Sequence, residues 1–148
     1  MTIREATIDD VDTICALIVG LAAYEKLAHE VVWEPADIER ELFGPRPSAY
    51  VVLAEDMELD GIAGFALWYP TLSTFLGKSG IWLEDLFVVP AARGRGHGLA
   101  LLQHLRSMTD GRVEWSVLDW NESSIRFYES LGARPVDGWT RYRWLLPD

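Results

Sequence analysis

From Phe87 to Gly98 the chain reads Phe-Val-Val-Pro-Ala-Ala-Arg-Gly-Arg-Gly-His-Gly, an apolar run that ends in a glycine-rich turn. Glycine lets the backbone bend without a Cβ clash and lets a ligand come close, so successive N–H groups can converge on an anion. Leu101, Leu102, Leu105 and Met108 then recur at helical spacing, and the positive end of that helix dipole would fall at the same point. Arg93 and Arg95 stand in the turn, and guanidinium groups suit paired phosphate oxygens. A Walker A loop is excluded, because Gly98 is followed by Leu99 and not by Lys-Ser or Lys-Thr. The dinucleotide fingerprint is excluded as well. Asp119 stands at roughly the expected distance of about 20 residues, but the glycines run Gly94-x-Gly96-x-Gly98 without the final two-residue gap. What remains is Arg93-x-x-Gly96-x-Gly98. On the loop alone, a phosphate cradle and a plain β-to-α turn with surface arginines both fit.

The elements around this turn follow from periodicity. Thr2 to Ala6 reads as a short strand, and Thr7 with Asp10 has the spacing of a helix N-cap. Val11, Ile14, Cys15, Ile18, Leu21 and Ala22 predict a helix to about Tyr24. Glu34-Pro35 opens a second helix that Gly44 stops. Tyr50 to Ala54 and Ile62 to Tyr69 read as an antiparallel hairpin turning at Asp60-Gly61, and Pro70 to Gly80 as a loop or arm. Ile81 to Val89 is the longest β-rich run, expected to be covered on both faces. After the turn come a helix to about Thr109 and a strand from Val113 to Leu118, parallel neighbours joined by a crossover. Asn121 caps a last helix carrying Ile125, Tyr128 and Leu131, Gly132 ends it, and Trp139 to Leu146 reads as a closing strand. One α/β domain over residues 1–148 is expected.

Composition narrows the function classes. The formal charge of −10 argues against a nucleic-acid partner and is compatible with a cationic one. A lone cysteine, Cys15, excludes an internal disulfide and a thiolate cluster. His29, His97 and His104 show no metal-ligand spacing, so no metal is expected. Neither a leader nor an apolar run of membrane-spanning length is seen, and a cytoplasmic protein away from membranes is the default expectation.

Two further segments join the loop in a resemblance. Leu83-Glu84-Asp85-Leu86-Phe87-Val88 precedes it, and Trp120-Asn121-Glu122-x-Ser124-Ile125-x-Phe127-Tyr128 with Gly132-Ala133 follows. Together with Tyr24-Glu25 and Gly64-Phe65-Ala66, the chain resembles the diamine (spermidine/spermine-type) branch of the GNAT N-acetyltransferases over nearly its whole length. The resemblance implies an acyl-CoA N-acyltransferase fold. That is a mixed, mostly antiparallel twisted sheet of about six to seven strands, its central parallel pair splayed apart, flanked by about four helices. It implies acetyl-CoA as co-substrate. The pantetheine arm falls to the backbone of Leu86, Phe87 and Val88, and the diphosphate to Arg93, Gly94, Arg95, Gly96, His97, Gly98 and Leu99, with Asn121 and Ser124 beside them. It also implies a homodimer, and places Tyr24, Glu25 and Glu84 at the acceptor amine.

Acetyl transfer to an amine requires a positioned thioester, removal of a proton from the ammonium, and protonation of the departing thiolate. Glu84 is the expected base, since a carboxylate in an apolar strand is unfavourable without a partner or a task. Strand neighbours face opposite sides, so Asp85 is expected to point away from any cleft that Glu84 lines. The resemblance makes Tyr128 the general acid. The acceptor arm departs from the polyamine enzymes: Ser73-Thr74-Phe75-Leu76-Gly77-Lys78 lacks their acidic residue and tryptophan. A smaller cationic amine or an amino-acid side-chain amine is therefore also expected, held by Glu25, Glu84 and Asp119. Acetylation of a protein or peptide amine, or acyl-CoA sensing without transfer, are the rival expectations.

Overall fold

A five-stranded sheet in the order β1-β2-β3-β4-β5 organises the first 116 residues of the computed structural model, which describes residues 1–148. The chain divides into two units, Met1–Ser116 and Val117–Asp148. In the first, β1 (Thr2–Glu5) leads through a capped turn into α1 (Val11–Tyr24), and α2 (Pro35–Phe43) begins with proline in its first turn. Then follow β2 (Tyr50–Asp56), β3 (Gly61–Ser73), β4 (Lys78–Val88), α3 (His97–Ser107) and β5 (Val113–Trp115). Pairing is antiparallel from β1 to β4 and parallel between β4 and β5.

The periodic residues of α1 explain its placement. Ile14, Leu17 and Leu21 share one face and pack with Leu42, Val51, Leu53, Phe65 and Phe87 in one apolar cluster. Cys15 is a buried free thiol, as its position on that helix requires. Beyond Tyr24 the chain turns at Lys26, whose φ is +61°, and this turn carries Tyr24 and Glu25.

Three expectations are corrected. The segment Pro70 to Gly80 is an arm and not a loop, with a turn only at Thr74 to Gly77: β3 runs on to Ser73 and β4 starts at Lys78, with Pro70 opposite Ile81 and Thr71 opposite Gly80. Proline fits an extended backbone and lacks only its N–H, so cross-strand pairing overrides the turn character of these residues. Gly80 is needed for a close approach, since a Cβ there would stand 2.4 Å from the Arg112 carbonyl oxygen at the entry to β5. Second, β5 stops at Trp115 and not at Leu118.

Third, Trp139 to Leu146 forms no strand, so the sheet has five strands and not six or seven. Alternating bulky and polar residues express strand propensity, but a strand exists only where a neighbour completes its hydrogen-bond ladder. The second unit has one helix, α4 (Glu122–Ser130). Asn121 caps it by accepting from the Ser124 N–H at 3.4 Å, and Gly132 at φ +93° ends it. Trp139, Tyr142 and Trp144 are 80%, 90% and 99% exposed. The expected four helices are present.

Candidate active site

The turn between β4 and α3 has the geometry of an anion cradle. Gly94 and Gly96 hold φ of +79° and +87°, a left-handed conformation in which a side chain would be strained. A Cβ at either would meet nothing within 4 Å, so the backbone faces open space where a ligand can lie against it. Gly96 is the N-cap of α3 and supplies no side-chain cap. The first amides of α3 therefore have neither an intrahelical partner nor a capping oxygen from Gly96, and the helix dipole adds positive potential there. These are the features a diphosphate needs, and the residues fit coenzyme A in this respect.

The side chains of the turn are engaged with the protein. Arg93 donates from Nε to the Val88 carbonyl at 3.1 Å, and its guanidinium lies 4.9 Å from the Tyr24 ring centre and 5.7 Å from that of Phe87. Arg95 donates to Glu58 at 2.9 Å and stands 3.5 Å from Asp56. His97 is 2% exposed, with Nε2 at 2.9 Å from Asp56 Oδ2. Arg93 and Arg95 thus tether the turn to the ends of α1, β2 and β4.

The parallel pairing of β4 ends one step along the strand. Pairing with β5 covers only Ile81, Trp82 and Leu83, and β4 continues through Leu86, Phe87 and Val88 on its β3 side alone. The first residue past that parallel pairing is Glu84. The β3 register steps from Leu67 opposite Asp85 to Trp68 opposite Leu83, which leaves Glu84 as the extra residue of a β-bulge. Glu84 is exposed, and its Oε2 accepts from Trp82 Nε1 at 2.8 Å. A bulge re-aims side chains and interrupts their alternation.

For that reason Asp85 does not part company with Glu84, contrary to the expectation from ideal strand geometry. Burial, and then the charges of Glu84 and Glu25, push the Asp85 carboxyl from 3.8 up to about 7. Burial and Glu84 also raise the Glu25 carboxyl. Glu25, Glu84 and Asp85 therefore form one acidic group that a cation would relax. In the second unit, Tyr128 lies half-buried on α4 with its ring 5.6 Å from that of Phe127, and Ser124 sits in the first turn after the Asn121 cap.

The family model described as Acetyltransferase (GNAT) family matches residues 18–133, across both units. The chain belongs to the GNAT acetyltransferase family. It is 30% identical to thialysine N-epsilon-acetyltransferase of Mus musculus, over 96% of this chain and 91% of that protein. It is likewise 30% identical to L-ornithine N5-acetyltransferase of Arabidopsis thaliana, over 93% of this chain and 81% of the relative. A crystal structure of a probable acetyltransferase superposes with a TM-score of 0.79 at 26% identity, covering 100% of this chain and 99% of that one.

As a GNAT enzyme the chain is an acetyltransferase, and the family's acyl donor is acetyl-CoA. Two of its residues escaped sequence reasoning. Ideal alternation puts Asp85 on the far face, because one inserted residue leaves no mark on a hydrophobicity pattern. Asp56 meets His97 from 41 positions away in the sequence, and only the buried histidine inside the GNAT glycine loop could have hinted at a partner. No group of three or more His, Cys, Asp or Glu side chains is arranged to hold a metal ion, and no helix is long and apolar enough to cross a membrane.

Proposed function

We propose that this GNAT enzyme acetylates the amine of a small cationic acceptor, a diamine, polyamine or amino-acid-like amine, by direct transfer from acetyl-CoA, residues 1–148 working as one domain. The observation that carries this reading is the cluster of Glu25, Glu84 and Asp85 where β4 leaves β5, on the same strand that ends in the anion cradle. Glu84 lies four residues before the end of β4 at Val88, roughly 13 Å of extended chain. An acyl donor with its diphosphate on Arg93 to Leu99 would lie along Leu86, Phe87 and Val88 and deliver its thioester toward Glu84. Asn121 and Ser124 would complete that side, and Tyr24 and Glu25 would face the acceptor.

The ammonium of the acceptor gives its proton to Glu84, directly or through water, and the freed nitrogen attacks the thioester carbonyl. As the C–N bond forms and the C–S bond breaks, Tyr128 donates its phenolic proton to the departing sulfur, and the second proton shed by the acetylated nitrogen passes through solvent to the tyrosinate and restores the phenol. The relatives named for thialysine and ornithine, both cationic amines, support an acceptor of this charge. Thiol release from acetyl-CoA in the presence of a panel of diamines, polyamines, basic amino acids and short peptides checks the reading. Turnover is expected with the small cations. Turnover with peptides alone supports the protein-acetylating alternative, and donor binding without thiol release supports a sensor.

A homodimer is part of the same proposal, and the exposed Trp139, Tyr142 and Trp144 support it. Soluble monomers rarely leave such a concentration of large apolar side chains in water. The single buried cysteine is compatible with a reducing cytoplasm. Sedimentation velocity is expected to give twice the chain mass, shifting to the monomer when Trp144 is replaced by Asp. A wild-type monomer at every concentration would remove the dimer.

A further inference from the structure

The donor loop is fastened to the sheet by a carboxylate that the acetyl-transfer mechanism does not use. Asp56 is the last residue of β2, an inner strand of the sheet, and is 7% exposed. Its Oδ1 accepts from the Glu58 N–H at 3.0 Å, and its Oδ2 lies 2.9 Å from His97 Nε2 and 3.5 Å from Arg95 Nη1. Glu58, on the short turn between β2 and β3, takes the same arginine nitrogen at 2.9 Å. Two side chains of the loop thus end on one corner of the sheet.

The burial of this pair calls for a reason. His97 is 2% exposed and its Nδ1 is buried without a hydrogen-bond partner, an arrangement that an apolar side chain of similar size would avoid. Packing alone does not explain a histidine here. The loop does. Gly94, Gly96 and Gly98 give this stretch the greatest backbone freedom of any residue type, yet binding an anion through amides requires those amides to be fixed beforehand. An apolar contact permits sliding, whereas a hydrogen bond from a ring nitrogen to a strand-end carboxylate sets distance and direction together.

We propose that Asp56 is a positioning residue for the acyl donor: by holding His97 and, with Glu58, Arg95, it keeps the amides of Gly94 to Gly98 in the geometry that receives a diphosphate. The proposal rests on the donor-loop reading given above. Arg95, on this account, contributes its charge to the corner of the sheet and not to the ligand. His97 acts through its ring toward Asp56 and through its backbone toward the donor.

Titration calorimetry with coenzyme A tests this on the wild type and on Asp56→Asn, His97→Leu, His97→Gln and the Asp56→Asn/His97→Leu double variant, with a thermal melt of each. Asp56→Asn and His97→Leu are each expected to weaken coenzyme A binding about tenfold, the effect of losing one charged, buried hydrogen bond. The double variant should bind little worse than either single one, because both remove the same contact. His97→Gln, which retains an amide N–H near the Nε2 position, should recover most of the affinity. In kinetics the loss from Asp56→Asn should fall on the KM for acetyl-CoA far more than on kcat. Folded variants that bind coenzyme A as the wild type does would overturn the inference, as would affinity that follows melting temperature with no recovery in His97→Gln. A wild type that takes up no coenzyme A would overturn the donor-loop reading, and the inference with it.

Discussion

Tyr128→Phe lowers kcat by about 10²-fold or more while coenzyme A still binds, if a phenolic proton is what the leaving sulfur receives. The substitution removes one oxygen and leaves the ring that stands 5.6 Å from Phe127, so α4 keeps its packing and its Asn121 cap. A loss confined to kcat is the signature of an interaction made only in the transition state. Single-turnover rates with saturating acetyl-CoA, read beside a coenzyme A titration of the same variant, check it. Unimpaired turnover would return Tyr128 to an ordinary aromatic on an inner helix face.

The second large effect belongs to the acidic cluster. Glu84→Gln is expected to reduce kcat/KM by about 10²-fold or more, since it removes both the proton acceptor and a charge that attracts the ammonium. It also alters a neighbour. The Glu84 charge is the second cause, after burial, that raises Asp85 to about 7, so the variant should ionise Asp85 at lower pH. Wild-type kcat/KM is expected to climb through about pH 7 as Asp85 acquires its charge. Asp85→Asn should lose that limb.

Stability supplies an independent reading of the same group. An acid whose folded pKa is raised binds more protons folded than unfolded between the two values. Its contribution is full below the ordinary 3.8 and is lost as pH rises through about 7. Melting temperatures of the wild type should therefore fall across that interval relative to Asp85→Asn. Parallel pH curves for the two proteins, in melting and in rate, would exclude a raised Asp85. Glu84→Gln with unchanged turnover and pH dependence would exclude Glu84 as the base.

Much of the fold was legible because local chemistry and global packing agree. The spacing of Ile14, Ile18 and Leu21 marks the buried face of α1, Glu34-Pro35 opens α2, and the glycine turn stands between a strand and a helix as read. Where the reading failed, the deciding fact was a partner distant in sequence. Pro70 to Ser73 look like a breaker segment until Ile81 to Lys78 lie beside them. The bulge at Glu84 is a matter of register between β3 and β4, and register is a property of pairs. Trp139 to Leu146 carries the alternation of a strand, but nothing in its own residues supplies the second strand it would need.

Two of the seven tryptophans, Trp139 and Trp144, lie in that stretch at 80% and 99% exposure. Indole emission is red-shifted in water and moves to the blue when the ring is covered. The chain thus carries an unlabelled optical reporter at its C-terminal end, and the colour of its ultraviolet fluorescence on dilution tells whether those rings are wet or shielded.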